Sequence, residues 1–357
     1  MKKFVVSFNN IISRVETSGS KARTDVNYLL KKNGFEEITF SNNSKSLIFR
    51  TIKFILFLLK LSYQKIEFRH ETIVFLIQSP GNKTFKILKF IFRKAIFIYF
   101  IHDVYYLQNE STVSKDEKDK FIRFLNKFDY IISHNQRMKK EFIDSGVKNE
   151  KIYTLELFDY LIDNDFQRKR NYNPNKVCVV YAGNLNQWKS KFIYKLDQIA
   201  NERLTFSLYG IDFDRTLNPA VNQYFKGVFK PEKLPSILEG DYGLIWDGEV
   251  LNTCNRNVGN YLRYNNPHKL SLYIVSYLPV ICWHESAVSE IVKREKIGIV
   301  IKSLEDLDKQ LLLISKDDYE FMRDNVIRLR EKITNGFFTS RVISQIMESI
   351  SANDKKK

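Results

Sequence analysis

Short apolar runs alternate with stretches of helical period along nearly all 357 residues, and that alternation leaves few folds open to the chain. Apolar strands separated by amphipathic helices call for open parallel sheets covered on both faces. In the first half the expected strands are Phe4–Phe8, Glu37–Phe40, Thr72–Gln78, Ala95–Ile101, Tyr130–Ser133 and Ile152–Leu155. The expected helices there are Thr24–Asn33, Leu47–Tyr63, Thr84–Arg93, Lys115–Phe128 and Gln136–Asp144. A polar stretch, Asn164–Lys176, breaks the pattern and reads as a domain boundary. Beyond it, strands are expected at Val177–Ala182, Thr205–Tyr209, Val228–Phe229, Tyr242–Trp246, Val280–Trp283 and Gly298–Ile301. Helices are expected at Phe192–Asn201, Pro231–Ser236, Pro267–Val275, Ala287–Glu295, Leu304–Leu313 and Asp317–Thr334. The expectation is an α/β chain of two doubly wound, Rossmann-like domains, 1–165 and 176–335. Residues 336–357 form a final helix free to pack back on the first domain. Ligands in such folds bind outside the carboxyl ends of the strands, so the expected site is a cleft between the two sheets.

Charge and cysteine content narrow the function classes. Cys178, Cys254 and Cys282 are too few and too scattered for a zinc site or a disulfide framework. Met1 to Val6 has the look of a signal n-region, but the apolar run ends by Asn9, and the segment reads as a first strand. The net charge of +16 is uneven: residues 47–101 hold ten Lys/Arg against Glu67 and Glu71. Within them, Leu47–Lys65 and Thr84–Phe100 interleave basic with apolar residues, and neither has the ~18 uninterrupted apolar residues of a spanning helix. A wide apolar face beside a basic one suits the surface of an anionic bilayer; two core helices with solvated charges are the alternative. The membrane reading is favoured for the first segment. The second runs into a strand and reads as core. Nucleic acid ranks last as a partner, since no helix-turn-helix, zinc-finger or RNP pattern is present. No GxGxxG follows the first strand, which argues against a nicotinamide dehydrogenase.

The segment Asp241–Trp283 carries the strongest chemical signal. A buried strand runs into a polar loop, a helix opens at Asn266-Pro267-His268-Lys269, and a second apolar strand follows. Unsatisfied N–H groups and the helix dipole make such a start an anion site. Pro267 suits the first turn because its missing N–H is no loss there. Lys269 is electrostatically out of place in a first turn unless an anion sits beside it; a solvated Lys is the alternative. At the end of the first strand of the second domain, Gly183 allows close backbone approach, Asn184 both donates and accepts, and Lys189 is a candidate phosphate contact. Tyr209, beside Gly210, either stacks on a planar base or packs in the core. Asp247 and Glu249 are candidates for donor-sugar hydroxyls, with Arg263 and Tyr264 facing the same cavity; solvated loop residues are the alternative. Asp212-Phe213-Asp214 and Asp163-Asn164-Asp165 have the form of metal-holding pairs, but such pairs arise readily by chance among 41 acids, and no metal site is assigned. For a general base, His102-Asp103 ends a first-domain strand, with one member able to set the other's pKa or tautomer; local capping is the alternative. His134-Asn135 lacks an adjacent acid and is weaker. Ser18-Gly19-Ser20-Lys21 reads as a flexible loop able to close over a donor.

Several blocks occur in one order: SHNQRMKKEF at 133–142, LFDYL at 157–161, VVYAGNL with Lys189 from 179, FSLYGI at 206–211, and GLIWDGE from 243 leading to NNPHKLS. In these the chain resembles the bacterial β-1,6-galactofuranosyltransferases of O-antigen and capsule assembly. It is more distantly similar to the glucosyltransferases that extend GlcNAc on serine-rich-repeat adhesins. The likeness is weakest over Ser41–Tyr99. It implies a GT-B fold and a UDP-sugar donor, UDP-galactofuranose or another UDP-hexose, with transfer to a sugar hydroxyl of a lipid-linked glycan. Passing from an α-linked donor to a β product is an inversion, for which one general base suffices. Asp103, or His102 beside it, falls at the family's His-Asp position. The NNPHKLS block matches the pyrophosphate-binding segment, which assigns His268, Lys269 and Ser271, after Pro267, to the leaving diphosphate. Gly183, Asn184, Tyr209 and Gly210 fall where nucleotide contacts are expected. The resemblance further implies metal-independent turnover without a cofactor, at the cytoplasmic face of the plasma membrane, with a homo-oligomer left open. Transfer of another hexose to a glycoprotein, or a silent sugar-nucleotide-binding subunit, are the competing expectations.

Overall fold

A computed structural model describes residues 1–9, 18–41, 65–78, 82–163, 166–168 and 171–354, with positions 49, 52, 55, 56, 59, 62 and 63. Among these residues two six-stranded sheets form, every recorded pairing in them parallel. The first contains β1 (Lys2–Asn9), β2 (Glu36–Ser41), β3 (Ile73–Ile77), β4 (Ile96–Phe100), β5 (Tyr130–Ser133) and β6 (Ile152–Thr154), in the order β2-β1-β3-β4-β5-β6. β3 and β5 are buried at every residue, as parallel strands covered on both faces must be. The covering helices include α1 (Ser18–Lys32), α2 (Asn82–Ile91), α3 (Lys115–Leu125) and α4 (Gln136–Asp144). Ser114 and Glu117 close a capping box on α3, and the Asn135 side chain caps α4.

The second sheet holds β7 (Val177–Ala182), β8 (Leu204–Tyr209), β9 (Phe225–Gly227), β10 (Tyr242–Ile245), β11 (Val280–Trp283) and β12 (Gly298–Ile301), in the order β12-β11-β10-β7-β8-β9. Its helices include α5 (Arg256–Tyr261), α6 (His268–Val275), α7 (Val288–Glu295), α8 (Lys316–Thr334) and α9 (Phe337–Asp354). No helix of the described residues is long and apolar enough to cross a membrane.

Three expectations are corrected. The Ser18–Lys21 stretch is the first turn of α1, because Lys21 and Asp25 pair at 2.6 Å one turn apart in a buried setting and Lys21 also donates to the Leu161 carbonyl at 2.8 Å. The edge strand β9 lies at Phe225–Gly227, ahead of Val228–Phe229, where the register shifts against Leu208 and Tyr209. The helix expected at Phe192–Asn201 is a tighter 3₁₀ segment, Lys191–Gln198. Of Leu47–Tyr63 the described positions are helical and the others lie outside the described residues. Of Asp163-Asn164-Asp165 only Asp163 is described.

The chain passes between the halves twice. On the way out, residues 157–162 are gripped from both sides: the Ser271 hydroxyl donates to the Phe158 carbonyl at 2.6 Å, and the Leu161 N–H donates to Asp25 at 3.0 Å. On the way back, the Phe338 and Thr339 N–H groups donate to the Asp159 carboxylate at 3.1 and 2.7 Å, so the two passages touch. α9 then lies against α1, with Asn33 donating to Ser340 at 3.1 Å, and Val342 and Ile346 share one apolar cluster with Val26 and Leu30. A third tie joins the sheets directly: Asn135 donates to the Asn266 side chain at 2.7 Å, and the Asn266 N–H donates to His134 at 3.1 Å.

Candidate active site

The carboxyl ends of the two sheets enclose a cleft of about 780 Å³. The first half contributes His102 and Asp103 beyond β4 and Arg23 from α1; the second contributes the turns after β7, β8 and β10 and the start of α6. Most residues singled out for chemistry are therefore gathered at one place, because they follow the carboxyl end of a strand or open the helix packed beside it.

At the start of α6, Pro267 takes the cap position in an extended conformation and makes no side-chain cap, which leaves the first N–H groups of the helix aimed at the cleft without a side-chain acceptor. Lys269 is not a free cation awaiting an anion. Its ammonium is buried and donates to Asp247 at 2.9 Å, to the Tyr181 hydroxyl at 3.0 Å and to the Trp246 carbonyl at 3.3 Å. Burial lowers the Lys269 pKa while Asp247 holds it up. The out-of-place lysine thus has a structural partner, brought in by the end of β10. Asp247 lines the cleft, but its Oδ1 is already engaged, accepting from Lys269 and from the Tyr181 hydroxyl at 2.9 Å each.

Other assignments are redrawn for similar reasons. Ser271, one turn into α6, is buried, does not line the cleft and donates its hydroxyl to the Phe158 carbonyl. Glu249 pairs with Arg256 at 2.6 Å and does not line the cleft. Arg263 pairs with Glu285 and covers Trp283 at 4.7 Å, and neither it nor Tyr264 lines the cleft. Tyr209 packs in the core with its hydroxyl accepting the Glu239 N–H at 3.1 Å, so the packing alternative holds for its ring. His268 stacks on Tyr160 at 4.9 Å, and burial lowers its pKa to about 3, so it reaches the cleft as a neutral ring and not as a cation. The two glycines differ in kind. A Cβ on Gly210 would stand 1.7 Å from the Gly183 carbonyl oxygen, so that glycine serves strand packing. A Cβ on Gly183 would meet nothing nearer than Lys269 Cε at 4.0 Å, which leaves open space where a ligand can come close. Asn184 bonds Asp212 at 3.0 Å and receives the Asn186 N–H at 2.8 Å, and Asp214 holds Thr216. Among the described residues no cluster of three or more His, Cys, Asp or Glu could hold a metal ion. Lys189 remains half-buried at the cleft and makes no ion pair among the described residues.

Across the cleft, His102 and Asp103 do not bond each other. His102 Nε2 lies 2.6 Å from the Gln78 side-chain oxygen, and Gln78 is oriented by donating to the Arg23 carbonyl at 3.3 Å, so Nε2 carries the proton. The ring lies against Phe100 and Phe158 at 5.3 and 5.6 Å. Burial, followed by the Arg23 charge, keeps its pKa well below the ordinary value. Asp103 accepts from Gln108 at 2.7 Å. It is exposed at the cleft mouth yet recessed enough that desolvation raises its pKa, against the opposing pull of Arg23 and then Lys189. The tautomer foreseen to be set between His102 and Asp103 is set by Gln78 instead, and the pKa shifts come first from burial, with Arg23 acting on both groups.

Sequence reasoning missed Arg23, Gln78, Tyr181 and the exposed ring of Trp188, which lines the cleft at 61% exposure. Arg23 and Gln78 sit inside an ordinary helix and strand end, where no local pattern marks them. Trp188 had a signal, since an aromatic two residues into a helix after a Gly-Asn turn has little core to enter.

The family model "Glucosyltransferase 3-like, N-terminal domain" matches residues 3–157, and "Glucosyltransferase 3-like, C-terminal domain" matches residues 179–346. The β-1,6-galactofuranosyltransferase WbbI of Escherichia coli K12 is 31% identical over 62% of this chain and 64% of its own length, a little under two thirds of that protein. Glucosyltransferase 3 of Streptococcus gordonii is 24% identical over 92% of this chain and 94% of its own. Among solved structures, Anabaena HepE in complex with UDP and glucose superposes with a TM-score of 0.59 at 15% identity, over 99% of this chain and 100% of that one. A glycosyltransferase from Rickettsia africae gives 0.63 at 12% identity, over 99% of each chain. The shared architecture is GT-B.

Proposed function

From the premise that the chain belongs to the glucosyltransferase 3-like family, we propose that it moves a hexosyl unit from a UDP-sugar to a sugar hydroxyl, with inversion. The observation that carries this reading is the uncapped start of α6 facing Asp103 across one cleft. In the proposed step Asp103 takes the proton of the acceptor hydroxyl, whose oxygen bonds the anomeric carbon. The bond from that carbon to the diphosphate oxygen breaks, and UDP leaves with the electron pair. Charge gathering on the leaving group meets the N–H groups and dipole of α6 and Lys189, which makes no ion pair among the described residues. The pair Asp212 and Asp214 is committed to Asn184 and Thr216, so the reading calls on no metal ion. The open space over Gly183 receives the nucleotide, and Trp188 is the ring available to stack on it.

Galactofuranose is the proposed sugar and a lipid-linked glycan the proposed acceptor. The higher identity supports the galactofuranosyl reading; the longer alignment, to the streptococcal enzyme, supports glucosyl transfer as the second. Thermal shifts with UDP, UDP-galactofuranose, UDP-galactopyranose and UDP-glucose separate the two, with the largest shift expected from UDP-galactofuranose. No shift with UDP itself would end the reading. Asp103→Asn should lower turnover by about a hundredfold or more while keeping the UDP shift. Because the Asp103 pKa is raised, wild-type turnover should fall as pH drops through it and the carboxylate is protonated.

A further inference from the structure

We propose that the exposed apolar residues Phe49, Ile52, Ile55, Leu56, Leu59, Tyr63 and Ile66 are a docking surface for an anionic lipid bilayer. This deepens the functional reading, since it places the enzyme where a lipid-linked acceptor resides, at the cytoplasmic face of the membrane. Phe49, Ile52, Leu56, Leu59, Tyr63 and Ile66 are 47–68% exposed. At about 100° per residue they fall in one band, and the half-exposed Ile55 widens it to roughly 120°. Large apolar side chains at successive helical turns are normally the buried face of a helix. Here the described ones are turned to solvent, and exposed apolar side chains on one face mark an interaction site.

Position and charge select the occupant. The connections from β2 to β3 and from β3 to β4 step the same way across the sheet, so right-handed crossovers set this segment and α2 on the same face. α2 turns Phe90 outward at 70% exposure with Arg93 over its ring at 5.1 Å. The apolar surface is thus broader than the narrow seam by which two helices pair. Residues 47–101 hold ten basic side chains against two acids. A second copy would bring an equal positive charge against the first. Anionic headgroups supply the missing countercharge while the acyl boundary takes the apolar band.

The test is cosedimentation of the full chain with phosphatidylcholine vesicles, with and without phosphatidylglycerol. Strong pelleting is expected only with phosphatidylglycerol, weakened by salt. The double variant Leu56→Glu/Leu59→Glu should lower the partition at least about tenfold, and Phe90→Asp should lower it in a chain whose 49–66 segment is untouched. Both should keep the UDP thermal shift and transfer to a soluble acceptor. Equal pelleting of variants and wild type would overturn the proposal. So would a vesicle-free dimer that the double variant splits, since a second copy would then cover the band. Loss of the UDP response in wild type would instead strike the functional reading and leave the vesicle result to stand by itself.

Discussion

The residue that best separates structure from chemistry is Lys269. It occupies a helix start that ought to repel it, and Asp247 makes the position tolerable by burying a carboxylate 2.9 Å away. Removing one partner strands the other charge in the core, so Lys269→Met or Asp247→Asn should each cost about 3–5 kcal/mol in urea unfolding. The double variant should cost less than the two together; full additivity would mean that the pair is not coupled. Lys269 could be flagged from sequence by its place in the helix. Its partner could not, because only the adjacency of β7 and β10 brings Asp247 and Tyr181 to it. His134 makes a second test. Burial lowers its pKa to about 4, with Nδ1 receiving the Asn266 N–H and Nε2 facing the Ile101 carbonyl. The unfolded chain binds that proton more readily, so the contribution of a neutral His134 is whole above about pH 6.5 and lost as pH falls toward 4. From this residue alone, stability at pH 5 should be about 2 kcal/mol below that at pH 7. A His134→Asn variant that kept the full pH dependence would refute the assignment.

At the scale of elements, most strands and the amphipathic helices, α4 among them, were legible, and a helix without an apolar period was not. β3, β4, β7 and β11 are short, apolar and bounded by polar residues, and their ends were foreseen within a residue or so. α5 escaped because RNVGNY has no apolar period; it forms where Gly259 lets the backbone settle on Cys254 and Asp247, with any Cβ there 2.7 Å from the Cys254 carbonyl carbon. The start of α1 was set too late because its first turn is fixed by Lys21 and the distant Leu161 carbonyl, and distance along the chain hides such partners. The junction of α8 and α9 turns on Gly336, at φ +74, where a Cβ would lie 2.1 Å from a Leu29 methyl of α1. Gly336→Ala therefore combines backbone strain with a clash. A loss of about 1–3 kcal/mol is expected, read as a lower urea midpoint with an unchanged slope. A midpoint equal to wild type would show that α9 is not seated on α1 as described.

For the whole molecule, the cleft could be foreseen because parallel sheets present their carboxyl ends together, whereas the way the halves are fastened could not. The fastening includes two chain passages that meet at Asp159, the Asn135–Asn266 bond, and the bonds of Arg137 to Glu290 and of Ser111 to Asn257. If a protease site is built between Asn171 and Lys176 and cut, the halves should still migrate as one particle in gel filtration, because α9 continues to hold the first sheet. Separation of the fragments without denaturant would show that contact to be weak.

The meeting of the passages at Asp159 has a mechanical meaning. Two passages pinned side by side at Asp159, with Asn135 bonded to Asn266 and Arg137 to Glu290 farther out, hold the two walls of the cleft at several points. A nucleotide held by one wall and an acceptor held by the other would then meet at a spacing that these ties set. Loosening any of them would shift the Asp103 carboxylate relative to the sugar.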